Sequence, residues 1–257
     1  MPAKEEREVF VKWFSELSKE NISVGGGKGA NLAEMVKIDM PVPPGFIVTA
    51  QAYQYFIEKT KLKETISRII HEINFEDTAE LYEGSRIIRE LIEKAKMPEE
   101  MHEEILEAYE ALSTNKEALA KASSDVLSIL RTSYEPAFVA VRSSATAEDL
   151  AEASFAGQQE TFLNVKGNLS LIDAIKRCFA SLYTARALYY RRRKKFDHDK
   201  VFIAVIVQQM VNADKSGVIF SKDPVSNEED IVIEAVFGLG EGIVSGKIIP
   251  DHYRVSR

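Results

Sequence analysis

Two stretches of the chain concentrate residues suited to holding an anion. Val24 to Met35 reads VGGGKGANLAEM: three consecutive glycines, a lysine, then a helix-forming run. Residues without a Cβ let backbone amides come close to a ligand. The start of a helix adds unpaired N–H groups and the positive end of its dipole. Gly25, Gly26, Gly27 and Lys28 are therefore candidates for a phosphate-holding turn. Phe138 to Val165 reads FVAVRSSATAEDLAEASFAGQQETFLNV, with an arginine at the end of a β-branched run, followed by hydroxyl, small and acidic residues. The planar fork of Arg142 matches phosphoryl oxygens, and hydroxyls and glycine amides around it could cover a triphosphate. Composition alone leaves two plainer readings open: a glycine-rich turn with a solvated lysine, and a surface arginine paired with Glu148 or Asp149.

Named phosphate motifs fit the glycine stretch poorly. A Walker loop needs a glycine five residues before Gly27-Lys28, where Ile22 stands, and a hydroxyl residue after it, where Gly29 stands. Gly25, Gly27 and Ala30 match a loose dinucleotide pattern. However, no strand runs directly into it, and PVPPGFIVTA lacks the acidic residue expected about 20 positions on. What remains is a mobile glycine loop with one lysine at a helix start.

These residues must be positioned by the elements around them. Val9 to Phe14 reads as an opening strand, with a helix also open at this length, Ala30 to Lys37 as a short helix ended by the proline cluster PVPPGF, and Phe46 to Thr49 as a strand before a helix over Ala50 to Lys59. From Leu62 to about Arg131 apolar residues recur at helical spacing (Ile66, Ile69, Ile70, Ile73; Ile87, Ile88, Leu91, Ile92; Met101, Ile105, Leu106, Tyr109), which predicts a helical subdomain whose stripes are packing faces. Strands follow over Phe138 to Arg142 and Thr161 to Val165, a helix over Leu169 to Tyr190, then strands over Val201 to Met210, Gly217 to Phe220 and Ile231 to Val236. The pattern points to an α+β fold with a mainly antiparallel or mixed sheet.

The 257 residues carry 33 Lys and Arg against 40 Asp and Glu, a net charge of −7, so no general attraction to nucleic acid or anionic membrane is expected and any polyanion needs a local cluster. Arg191 to Lys195 (RRRKK) reads as a solvated helix end favoured by the dipole, not as a nucleic-acid patch. The single Cys178 reads as a buried, inert thiol. No apolar segment of signal-peptide or membrane-spanning length occurs, so a cytoplasmic location is expected. Asp197-His198-Asp199 reads as a solvated turn, and no metal site is assigned.

In order along the chain, GGKGANLAEM, PVPPGF, VRSSATAEDLAEASFAGQQETFLNV, VQQMV, SGVIFSKDP and GLGEGIVSGKIIPDHY closely resemble the N-terminal nucleotide-binding domain of phosphoenolpyruvate synthases, a domain family shared with pyruvate phosphate dikinases and rifampicin phosphotransferases. The VRSSATAEDL form favours the synthase and rifampicin-enzyme branch. The resemblance implies an ATP-grasp-like, two-lobed nucleotide-binding fold: residues 1–60 as the glycine-loop part of the N-terminal lobe, 61–135 as a helical subdomain, and 136–257 as a truncated second part.

It further implies that Lys28 and Arg142 contact the phosphates as catalytic groups, with Gly25, Gly26 and Gly27 beside them. Gly157 and Thr161 would lie over the triphosphate, and Gln208, Gln209, Met210 and Val211 would form the linker against the adenine. Glu234 and Glu241 are implied as ribose or indirect contacts, with ordinary polar surface equally open. The implied activity is that of a cytoplasmic, gluconeogenic pyruvate, water dikinase, which turns ATP, pyruvate and water into AMP, phosphoenolpyruvate and phosphate through a phosphohistidine. That histidine and the pyruvate site belong to domains missing from this chain, and its four histidines match no acceptor motif. The acidic and Q-x-R-P motifs that supply magnesium ligands in the family are also expected beyond Arg257. The domain therefore reads as C-terminally incomplete, with ATP and Mg2+ as cofactors, weak nucleotide binding and no catalysis alone. The oligomeric state, a homodimer included, stays open. The alternatives are the ATP-binding domain of a rifampicin-type antibiotic phosphotransferase, or a non-catalytic binding module that keeps the fold.

Overall fold

The computed structural model describes residues 9–114, 135–146 and 160–256. It is an α+β structure in which every strand pair is antiparallel. The chain divides into two compact units, Met1–Met210 and Val211–Arg257.

The first unit is built on a five-stranded sheet of order β1-β2-β5-β3-β4, comprising β1 (Val11–Trp13), β2 (Gly45–Val48), β3 (Val139–Ala145), β4 (Thr161–Val165) and β5 (Ile203–Gln209). Central β5 reads IAVIVQQ because both of its faces are covered, and a two-sided strand needs apolar residues at both parities. On one face Ile47, Ala204 and Ile206 pack with Phe14, Leu17 and Ala33 under α1 (Ile22–Lys37). On the other, Phe46, Val48, Val139, Val141, Val205 and Val207 join the larger core with α2 (Ala50–Lys59) and the helices that follow.

Those helices are α3 (Leu62–Glu72), α4 (Thr78–Lys94), α5 (Glu99–Ser113), α6 (Asn168–Ser181) and α7 (Ala185–Arg193). Side-chain caps set the starts of α2 and α4, where Thr49 Oγ1 accepts from Ala52 N–H at 3.1 Å and Asp77 Oδ1 from Ala79 N–H at 2.8 Å; α3, α5 and α6 start without one. The isoleucine stripes are packing faces, with Ile66, Ile70, Ile88, Ile92, Met101, Ile105 and Tyr109 all buried. The expected helix past Ser113 falls on residues 115–134, outside the described ones.

Two sequence expectations need correction here. The helix expected over Leu169 to Tyr190 is two helices, because the Thr184 hydroxyl accepts from Ala187 N–H at 3.3 Å and caps a new start. The basic run is not wholly solvated either. Arg191 is 0% exposed, its Nε donating to His198 Nδ1 at 3.1 Å and its guanidinium lying 5.5 Å from the Tyr183 ring centre, while Arg192 to Lys195 are exposed. Cys178 is fully buried, and burial pushes its thiol pKa up, as expected of an inert thiol.

The second unit is a three-stranded sheet of order β6-β7-β8, with β6 (Lys215–Phe220), β7 (Ile231–Phe237), β8 (Asp251–Val255) and the four-residue α8 (Glu241–Val244). β8 carries no apolar run, so period-2 hydrophobicity does not reveal it; every residue in it is exposed. Among the described residues no helix is long and apolar enough to cross a membrane.

Candidate functional site

The glycine stretch is a helix broken and restarted. Val24 and Gly25 N–H groups donate to Asn21 O at 3.0 and 2.9 Å and close a first turn. At Gly26 the backbone departs from helix with φ 67 and ψ 173, and the helix then resumes to Lys37. Gly25, Gly26, Gly27 and Gly29 are buried and only Lys28 of this run is exposed, which corrects the expected mobile loop. The cause is close approach to the sheet. A Cβ on Gly26 would lie 2.3 Å from the carbonyl oxygen and from the Oγ of Ser144, in addition to needing a left-handed φ. Gly29 N–H donates to that same Ser144 Oγ at 3.2 Å. Residues 115 positions apart thus hold the turn beneath Lys28 against β3.

Arg142 lies on β3 two residues before Ser144, hence on the same face of the sheet, the one α1 covers. Its Nη2 donates to Gln208 Oε1 at 2.7 Å, and Gln208 Nε2 donates to Pro43 O at 3.0 Å. Its Nε is buried and has no hydrogen-bond partner among the described residues. Burial pushes the guanidinium pKa below the ordinary arginine value, and no carboxylate among the described residues counters that desolvation. An arginine still stays charged at neutral pH, so the face presents a partly desolvated cation with donor capacity to spare. The alternative partners Glu148 and Asp149 lie outside the described residues.

The other expected site residues are spread unevenly. Thr161 is the cross-strand partner of Arg142 at the start of β4 and is exposed. Gly157 lies outside the described residues. Gln208, Gln209 and Met210 end the first unit, and Val211 begins the second. Gln209 N–H is taken by Pro44 O and Met210 N–H by Phe138 O, both at 2.9 Å, so neither amide is available to a base. Gln209 also lines a cavity of about 580 Å³ with Trp13, Phe14, Val42 and Pro44, but neither Lys28 nor Arg142 borders it, so the hollow and the cationic chemistry are separate places. In the second unit Glu234 is on β7, 3.7 Å from His252 Nδ1, and Glu241 opens α8 exposed to solvent.

Sequence reasoning missed Ser144 and Pro43. Ser144 had a usable signal, since it repeats Arg142 at the strand period. The Pro43 carbonyl had none, because any residue supplies one. The start of β4 is also anchored by Glu160: its carbonyl accepts from Ser143 N–H at 3.1 Å and its carboxylate pairs with Arg89 at 2.8 Å.

Comparisons with known proteins bear on this arrangement. A family model described as pyruvate phosphate dikinase, AMP/ATP-binding domain, matches residues 22–257. A probable phosphoenolpyruvate synthase of Archaeoglobus fulgidus is 49% identical over 96% of this chain and 30% of the relative. The phosphoenolpyruvate synthase of Pyrococcus furiosus is 45% identical over 96% of this chain and 32% of the relative, and that of Aeropyrum pernix 45% over 96% and 28%. The chain spans about a third or less of the length of these curated relatives.

Proposed function

Since the chain belongs to the pyruvate phosphate dikinase AMP/ATP-binding domain family, we propose that it is the ATP-holding portion of a phosphotransferase of the phosphoenolpyruvate synthase type. The observation that carries the reading is the desolvated Arg142, without a carboxylate among the described residues, on the sheet face to which Ser144 ties the Gly26–Lys28 turn. The residues fit a triphosphate on one count: the buried Arg142 Nε has no acceptor among the described residues.

In this reading Arg142 and Lys28 neutralise charge on the phosphoryl oxygens, and the amides of the restarted helix add fixed positive potential. Phosphoryl transfer passes through a loose transition state with charge spread over the equatorial oxygens, so such groups act by position and electrostatics. Thr161, the cross-strand partner of Arg142, covers the phosphates. The carbonyls of Gln209 and Met210 are what that stretch offers an adenine. Mg2+ would supply charge neutralisation on the phosphates in such chemistry; among the described residues no three acidic, histidine or cysteine groups converge to hold it.

The whole enzyme, on this proposal, converts ATP, pyruvate and water to AMP, phosphoenolpyruvate and phosphate through a phosphohistidine on another domain. The finer fold reading is ATP-grasp-like. It is supported by the family match and by α3, α4 and α5 standing as a helical block between β2 and β3, strands of one sheet.

Isothermal titration with ATP tests the site. Wild type should bind more tightly than Lys28→Ala and Arg142→Ala by about tenfold or more, the worth of one charge-assisted hydrogen bond. Equal affinities would remove the assignment.

A further inference from the structure

The geometry points to Gln208 as the positioning residue for Arg142, orienting the guanidinium for the triphosphate without neutralising it. The inference rests on the triphosphate reading of the site. Gln208 is only 8% exposed, on central β5, with its side chain on the face that α1 covers. Both ends of its amide are committed: Oε1 accepts from Arg142 Nη2 at 2.7 Å and Nε2 donates to Pro43 O at 3.0 Å. An amide anchored at both ends and buried is fixed toward Arg142 and Pro43, although its position in VQQMV suggests an adenine contact.

The residue type matters as much as the place. A carboxylate here would also accept from Arg142, but it would cancel the charge that attracts phosphate. An apolar side chain would keep the charge and lose the orientation. Glutamine alone among residues of this length supplies a neutral acceptor on one end and a donor that anchors it to the chain on the other. The Pro43 carbonyl belongs to the segment between α1 and β2, so the same amide joins that segment, β5 and β3 at the arginine.

The test uses the chain labelled with 15N-arginine, with the Arg142 Nε–H signal identified by its loss in Arg142→Lys, and titrations with ATP and with adenosine. In wild type the Nε–H should exchange slowly and shift with ATP, not with adenosine. Gln208→Leu should speed that exchange and weaken ATP about tenfold while leaving adenosine affinity unchanged. Gln208→Glu should keep the slow exchange yet weaken ATP as well, a split that a merely structural role would not produce. Parallel weakening of ATP and adenosine, or a Gln208→Leu variant with wild-type exchange and ATP affinity, would overturn the inference. If the wild-type Arg142 signal ignores ATP, the triphosphate reading fails instead; the exchange comparison without nucleotide still decides whether Gln208 orients the arginine.

Discussion

Replacing Arg142 by methionine separates a ligand-binding cation from a structural one, because the two roles move stability and affinity in different directions. The substitution leaves Gln208 Oε1 without its donor at 2.7 Å, and a buried acceptor left unmade costs about 1–3 kcal/mol. It also removes a desolvated cation that no carboxylate among the described residues balances, relieving a penalty of several kcal/mol in fully buried cases and less here. The terms nearly offset, so the ligand-free variant should unfold within about 1 kcal/mol of wild type, where breaking a true buried ion pair costs about 3–5 kcal/mol. Affinity for ATP should instead fall by about 1.5–3 kcal/mol, the worth of a hydrogen bond to a charged group, or roughly 10- to 150-fold. Urea unfolding without nucleotide and calorimetric titration with ATP measure the two quantities. A variant destabilised by about 3 kcal/mol or more with unchanged ATP affinity would show that Arg142 is a fold-holding partner, and the electrostatic argument would fail.

Two further outcomes follow from the same structure. Gly26→Ala places a methyl 2.3 Å from the Ser144 carbonyl oxygen at φ 67, whereas the nearest obstacle to Gly29→Ala is the end of the Ile47 side chain at 2.7 Å. The first combines left-handed strain of about 1–2 kcal/mol with a backbone clash and should lower Tm by roughly 5 °C or more; the second, against a flexible tip, should cost less, as thermal scans can compare. His198 is pushed down to about 4 by burial and then by the Arg191 charge, from an ordinary 6.5. The unfolded chain therefore takes up the proton first as pH falls. His198's contribution is fully present above pH 6.5, declines between 6.5 and about 4 and is flat below. With the imidazole only partly buried the loss should stay near 1–2 kcal/mol. Urea unfolding across this range should show a shallower slope for His198→Asn, and an identical slope would refute the link.

Much of the fold was legible because it follows from local periodicity. The isoleucine stripes of α3 and α4 repeat at helical spacing, and the β-branched run around IAVIV reads as a nearly continuous apolar strand, although that both its faces are covered came only with the structure. β8 was not, since an exposed edge strand reading DHYRV offers only Tyr253 and Val255 as an apolar alternation, too short to detect. The break between α6 and α7 was missed because apolar spacing continues across Leu182 and Tyr183 while one threonine hydroxyl restarts the helix. Arg191 shows the limit most sharply. Nothing in RRRKK distinguishes its first member from its neighbours, yet it is buried and they are not.

What the sequence determined by itself is the residue chemistry: which side chains can meet a phosphate, and an order of motifs long enough to carry family membership. What only the tertiary structure decided is how those groups are used. The glycines serve contact with Ser144 as well as any ligand, Gln208 faces an arginine, and Arg142 is desolvated without a carboxylate beside it among the described residues. The reason is physical: charge, shape and hydrogen-bonding capacity belong to a residue wherever it stands, but desolvation and partnership belong to what the fold brings within a few ångströms of it.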